Sequence, residues 1–200
     1  MLFKPGTITN LSNSKLINIL NNSIKDLENK NILDFGVGSN KLYRLMGYKK
    51  YFIYDKIKNF SSFHNSNEDI IIIKDYKNIK DNIDVVFFNS VIQYIDTNEL
   101  ESIFLFLRKI SKVTIIINDI PKYNRYIEFF LIFFKNLINS PLIYKNIFEN
   151  IFFQKSLSHK FYFHKKQLLI NLFMKLGFNV IIKNNYYINN CRYTLVLNKI

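Results

Sequence analysis

The chain has no tryptophan and no alanine, one cysteine and only three histidines in 200 residues. A single thiol, Cys191, excludes an internal disulfide framework and any zinc site built from several cysteines. His64, His159 and His164 leave little material for a histidine metal centre, so no metal is expected. Acidic residues are scarce too: 15 Asp and Glu stand against 28 Lys and Arg, a net charge of +13. Long hydrophobic runs are missing. The greasiest stretches, 103–107, 113–117 and 129–134, are interrupted by Arg108, Lys109, Lys112 and Lys135, well short of the roughly 20 residues a membrane-spanning helix needs. The N-terminus, Met1-Leu2-Phe3-Lys4-Pro5-Gly6, lacks the basic start, apolar middle and small-residue cleavage site of a signal peptide. A cytoplasmic protein is expected. Glycine occurs five times and proline three times, and no Gly/Ser-rich or Pro-rich linker divides the chain. One domain over 1–200 follows from the length.

Apolar residues make up 48% and charged residues 22%, a balance that argues against a disordered charged tail. Ile, Asn, Lys, Phe and Tyr together exceed half of the chain. These residues have A/T-rich codons, so genome composition explains the lysine excess as well as an acidic partner does. No block of five or more like charges marks a nucleic-acid footprint.

Short apolar runs recur through the first 120 residues: 31–35, 51–55, 70–73, 84–88 and 113–117. They are continuous rather than alternating and rich in Ile, Val and Phe. Strands read this way when helices cover both faces of a parallel sheet. Between them lie helical patterns. Residues 14–29 put Leu16, Ile17, Leu20, Ile24 and Leu27 on one face. Residues 97–110, with Thr97 as N-cap, put Leu100, Ile103, Phe104, Leu107 and Ile110 on another. The alternation predicts right-handed βαβ units. Later, Lys165–Leu176 is a helix candidate with Leu168, Leu169, Leu172, Phe173 and Leu176 on one side, stopped by Gly177. A strand at 178–182, turn residues Asn184, Asn185, Asn189 and Asn190, and a strand at 193–197 predict an antiparallel hairpin on the sheet edge. Residues 121–164 exceed an ordinary connection. Their aromatic spacing suits two helices split near Ser140-Pro141, either packed on the core, closing over a site as a lid, or meeting a lipid surface or partner.

The chemistry gathers at strand ends. The first strand runs into Leu33-Asp34-Phe35-Gly36-Val37-Gly38-Ser39-Asn40. Two glycines one residue apart after a strand mark a loop that a ligand approaches closely. A dinucleotide fingerprint requires a third glycine where Lys41 stands, which disfavours nicotinamide and flavin dinucleotides. Asp34 directs negative charge at the loop and suits a cationic or amine-bearing ligand. Asp55, ending the second strand, can accept both hydroxyls of a ribose. Asp75 follows the third strand within reach of an adenine amino group, although Asp75-Tyr76-Lys77-Asn78 also reads as an ordinary polar turn. Asn89-Ser90-Val91-Ile92-Gln93-Tyr94 closes the fourth strand, where Asn89-Ser90 also reads as a helix cap. All four features fall at carboxyl ends of successive strands, the edge at which open parallel sheets bind ligands.

This set resembles the class I, Rossmann-like, S-adenosylmethionine-dependent methyltransferases over about residues 14 to 200. The resemblance implies an α/β, Rossmann-like three-layer sandwich. Its seven-stranded sheet is mostly parallel with an antiparallel last strand, and here carries a helical insertion at about 121–164. It also implies S-adenosylmethionine as cofactor. Asp34, Gly36 and Gly38 would then hold its methionine end, Asp55 the ribose hydroxyls and Asp75 the adenine, with Asn89 and Ser90 flanking the sulfonium. The family's third glycine is Asn40 here.

Methyl transfer is an in-line displacement, which a site promotes by aligning the nucleophile and excluding water. A base is needed only for a weakly acidic acceptor. His159 and His164 are candidates, as is Asp119, although each also reads as a surface or structural residue. Arg192 is a candidate contact for an anionic substrate. The family's Asn/Asp-Pro-Pro-aromatic motif of amino-base methylation is absent, and Cys191 is misplaced for carbon methylation of pyrimidines. Oxygen or nitrogen methylation of a small-molecule, sugar or glycan-type acceptor is expected. The alternatives are an RNA methyltransferase, marked by lysines clustered where the strands end, and a non-catalytic binding module with a decayed cofactor pocket. The aromatic insertion also makes membrane-surface contact a candidate, without a transmembrane segment.

Overall fold

The computed structural model describes residues 16–37, 41–56, 69–79, 82–124, 127, 130, 162–185 and 192–200. Helix α1 (16–23) leads to β1 (Asn31–Phe35), β2 (Lys50–Tyr54), β3 (Ile70–Ile73) and β4 (Val85–Asn89). Helix α2 (Thr97–Leu107), β5 (Thr114–Pro121), α3 (Lys166–Lys175), β6 (Phe178–Asn185) and β7 (Arg192–Lys199) complete the described elements. The strands form one sheet in the order β3-β2-β1-β4-β5-β7-β6. The first five strands pair in parallel, and β7 runs antiparallel to both of its neighbours, β5 and β6. This is the mostly parallel α/β sheet with an antiparallel last strand that the sequence predicts.

Continuous apolar strands follow from burial on two faces. In β1, Leu33 and Phe35 join one core with Leu100, Ile103, Phe104 and Leu107 of α2 and with Leu169 and Phe173 of α3. Ile32 enters the other core, with Leu16, Ile19 and Leu20 of α1 and with Tyr51, Phe87 and Val196. Helices therefore cover both faces in three layers. The α2 side is bound by aromatic contacts: Phe104 lies 4.5 Å from Phe173 and 5.4 Å from Phe88 between ring centroids, a spacing favourable for ring pairs.

Several local expectations are corrected. The first helix ends at residue 23 rather than 29, and Asp26 turns the chain with φ 53° before a 3-10 turn at Leu27–Asn29. The N-cap of α2 is Asp96 and not Thr97, because the Asp96 carboxylate accepts from the Glu99 N–H at 2.9 Å. In α3 the buried stripe is Leu169, Phe173 and Leu176, whereas Leu168 is 62% exposed. Gly177, at φ 82°, stops the helix as expected. Asn184 and Asn185 belong to β6, paired with Tyr193 and Arg192, instead of forming the turn. Asn189, Asn190 and nearly all of the 121–164 insertion lie outside the described residues. Among the described residues, no helix is long and apolar enough to cross a membrane.

The helix face yields a direct test. Leu169→Ala is expected to destabilise the protein by about 2–5 kcal/mol. Leu168→Ala, one position away, should change stability by less than about 0.5 kcal/mol. Equal losses in denaturant unfolding would show that α3 packs by a different face.

Candidate functional site

The parallel strands end together at one edge of the sheet, and a cavity of about 490 Å³ opens there. That size lies within the usual range for a small-molecule or cofactor site. Its lining is Phe35, Gly36, Tyr54, Asp55, Lys56, Asn89, Ser90, Val91, Tyr94, Ile95 and Glu99. The ends of β1, β2 and β4, the turn after β4 and the first turn of α2 therefore all contribute.

Gly36 leaves β1 at φ 82°, and a Cβ there would overlap the Val91 side chain. Only glycine meets both conditions without strain. The Gly36 and Val37 N–H groups both donate to the Tyr54 carbonyl, at 2.7 and 3.2 Å, which ties the loop to the end of β2. Phe35 and Tyr54, 4.7 Å apart, form an aromatic wall beside Asp55, extended behind by Tyr76. Across the cavity, Lys56 Nζ donates to both Glu99 carboxylate oxygens at 3.0 Å. The lysine side chain is 77% exposed, so this bridge is screened and adds little to stability.

Asp34 lies one residue before the lining and is almost fully buried. The Tyr51 hydroxyl donates to its Oδ2 at 3.0 Å. Burial pushes the carboxyl up from 3.8 to about 8, against the pull of the Tyr51 bond and with a smaller push from the Asp55 charge. The sequence reading gave Asp34 a standing negative charge. Desolvation instead keeps it largely protonated at neutral pH until a cation stands nearby.

At the far side, Asn89 Oδ1 accepts from Asn118 Nδ2 at 2.9 Å, and Asn118 Oδ1 accepts from the Thr194 hydroxyl at 2.7 Å. The Ser90 hydroxyl donates to Asp119, which is paired with Arg192 at 2.9 Å. Gln93 Nε2 donates to the Ser90 carbonyl at 2.7 Å. Neighbouring strand ends are thus joined by side chains where the backbone ladder stops.

Of the residues named from sequence, the structure brings Gly36, Asp55, Asn89 and Ser90 into the lining, with Asp34 beneath. Asp75 is placed elsewhere. It is exposed, outside the lining, and its carboxylate accepts from the Lys77 N–H at 3.0 Å to cap a 3-10 turn. This is the polar-turn alternative, favoured because a short acidic side chain after a strand satisfies the next free N–H. His164 is half-buried, and its Nε2 lies 2.9 Å from the Ile95 carbonyl. A carbonyl only accepts, so Nε2 is the donor in this contact. Its contact supports the lining loop from behind, as does the Tyr162 N–H, which donates to the Gln93 carbonyl at 2.7 Å. Gly38 and His159 lie outside the described residues. Glu99, Lys56 and Tyr54 also line the cavity, without a motif in the sequence that marks them as site residues. The Asp96-x-x-Glu99 spacing signalled a helix start at this edge, and Lys56 adjoins Asp55.

No family model matches this chain, and no curated protein matches it. Solved structures do share its fold. A methyltransferase domain of bacterial CtHen1-CN is 14% identical over 96% of this chain and 99% of its own, with TM-score 0.61. The SAM-dependent methyltransferase from Archaeoglobus fulgidus is 15% identical over 94% of each chain, with TM-score 0.57. Magnesium protoporphyrin IX methyltransferase of Synechocystis PCC 6803, solved with S-adenosylhomocysteine, is 13% identical over 96% of this chain and 84% of its own, with TM-score 0.57. The fold is that of the class I, Rossmann-like, S-adenosylmethionine-dependent methyltransferases.

Asp34 gives stability a pH dependence of known sign. Between pH 3.8 and about 8 the folded chain retains a proton at Asp34 that the unfolded chain has lost. On this account stability declines as pH rises through that window. Asp34→Asn, neutral throughout, should flatten the decline in urea unfolding measured from pH 5 to pH 8. Equal slopes in the two proteins would contradict the assignment.

Proposed function

We propose that the protein is an S-adenosylmethionine-dependent methyltransferase acting on oxygen or nitrogen of a small-molecule or sugar-type acceptor. The carrying observation is the joint placement of Gly36 and Asp55. A left-handed glycine packed against Val91 and a carboxylate that follows the next strand line one cavity, in a fold shared with solved methyltransferases.

The residues present fit such a cofactor. Asp55 would accept the ribose hydroxyls. Phe35 and Tyr54 would give the adenosine an apolar wall. The Gly36 turn would border the methionine end, over Asp34, and Asn89 and Ser90 would border the reacting centre. The bound cofactor would supply an electrophilic methyl on a sulfonium. The chain's part is alignment and exclusion of water. Tyr94 and Ile95 narrow the cavity beside Ser90, and His164 braces the turn that carries them. As a cationic group enters, the buried Asp34 carboxyl would lose its proton and hold a compensating charge.

A small acceptor is preferred over RNA. Among the described residues, Lys41, Lys56, Lys74, Lys77 and Lys122 follow strands, but Lys30, Lys49 and Lys112 precede them and Lys50 opens β2. Among the described residues, cations therefore flank both ends of the sheet and do not gather at the site edge alone. Most of the aromatic insertion, with its candidate lid or membrane contact, lies outside the described residues.

Calorimetric titration with S-adenosylmethionine and S-adenosylhomocysteine tests the reading. Micromolar binding is expected, and Asp55→Ala should weaken it about tenfold or more, roughly 1.4 kcal/mol. A folded wild-type protein that binds neither compound would sink the enzyme reading and leave the non-catalytic binding module.

A further inference from the structure

Polar groups toward the ends of β4 and β5 and at the start of β7 form a continuous strap that leads to the glycine loop. β5 loses its regular register with β7 between Ile117 and Ile120, and Asp119 within that irregularity has φ 64°. A bulge of this kind strips the ladder from one residue and re-aims its side chain. Arg192, which pairs with Pro121 at the start of β7, reaches back to Asp119. Its Nη1 donates to the Asp119 carbonyl at 3.1 Å and to the carboxylate at 2.9 Å. The Asp119 side chain is 1% exposed and the Arg192 side chain 15%. Removing the guanidinium would therefore strand a buried charge, which a folded chain relieves by rearranging.

The carboxylate also receives the Ser90 hydroxyl. Ser90 has φ 59°, and its N–H donates to the Asn118 carbonyl at 3.2 Å. Left-handed backbone at two neighbouring non-glycine residues persists only where the surroundings over-determine it. Here Gln93 and Asn118 hold the Ser90 backbone, and Arg192 holds its side chain through Asp119. The residue after Ser90 is Val91, whose side chain occupies the space where Gly36 would carry a Cβ. Contact thus passes from β7 across the ends of β5 and β4 to the loop after β1.

We propose that Arg192 is a positioning residue for the cofactor site. Through Asp119 it holds Ser90 and Val91 in the backbone that closes the cavity floor against Gly36. The proposal rests on the cofactor reading above and extends it to a residue that does not line the cavity.

The test combines calorimetric titration with S-adenosylhomocysteine, thermal unfolding, and amide exchange at residues 90–93. It compares the wild type with Arg192→Met, Arg192→Lys and Val196→Ala. Arg192→Met is expected to lose about tenfold or more in affinity, roughly 1.4 kcal/mol, with faster exchange at residues 90–93. Arg192→Lys should fall between, since an ammonium restores charge without the planar fork. It carries the test if Arg192→Met does not fold. Val196→Ala, buried on the same strand, should lower the melting temperature yet keep affinity within about twofold, as independent sites do. Wild-type affinity in both Arg192 variants, or an affinity loss in Val196→Ala in proportion to its melting temperature, would overturn the proposal. Unchanged exchange at residues 90–93 would overturn it whatever the cofactor does. A folded wild type that fails to bind would overturn the cofactor reading, and the positioning role with it.

Discussion

A sheet covered on both faces has no room for polar side chains along its length. Every residue of β1, β4 and β5 that turns to α1 or to α2 and α3 must be apolar or fully paired, because an unpaired buried polar group is costly. Polar chemistry is thereby driven to the sheet's edges. The parallel strands release their last residues together at one edge, and that is where the cavity lies. Its position is a consequence of the two-sided core, and its contents are the residues that follow each strand: Gly36 after β1, Asp55 after β2 and Ser90 after β4.

The exceptions inside the core are informative. Asp34 stands within β1 and survives because Tyr51 donates to it and because its own proton stays bound to about pH 8. Asn118 and Thr194 are fully buried and satisfy each other, with Asn118 also bound to Asn89. Asp119 is buried and ionic, and Arg192 makes that tolerable. These groups lie on β1, β5 and β7 next to the cavity. Asp34 lies within the paired ladder, whereas Asp119 lies at its irregularity, where side chains take over from the backbone.

The two aspartates at the cavity have opposite settings. Asp34 is sealed among apolar groups, whereas Asp55 stands at the mouth beside Lys56. The same residue type therefore presents a proton-holding group below the cavity and an acceptor at its rim. Lys56 and Glu99 join the β2 and α2 sides with an exposed bridge, weak enough to open without much loss of stability.

Hydrophobic pattern made the sheet legible before any coordinates. The runs at 31–35, 51–55, 70–73, 84–88 and 113–117 each hold a strand, and Gly177 stops α3. Those features depend on burial and on local backbone freedom, which a residue's type encodes directly. Gly36, Asp55, Asn89 and Ser90 were legible for the same reason, since they directly follow or end apolar runs. Asp75 and His164 show the limit. Both stand near the right edge in sequence, yet Asp75 turns to the Lys77 N–H and His164 to the Ile95 carbonyl. Nearby backbone groups compete for a short polar side chain, and sequence does not say which prevails. Arg192 shows the converse. Its link to Asp119 and Ser90 depends on β7 returning antiparallel beside β5 and on a register shift between Ile117 and Ile120. The sequence by itself determined which segments would be buried and where the strands would end. Which distant polar groups meet at those ends was decided only by tertiary structure, because a contact between residues so far apart in sequence exists only once the sheet has closed around it.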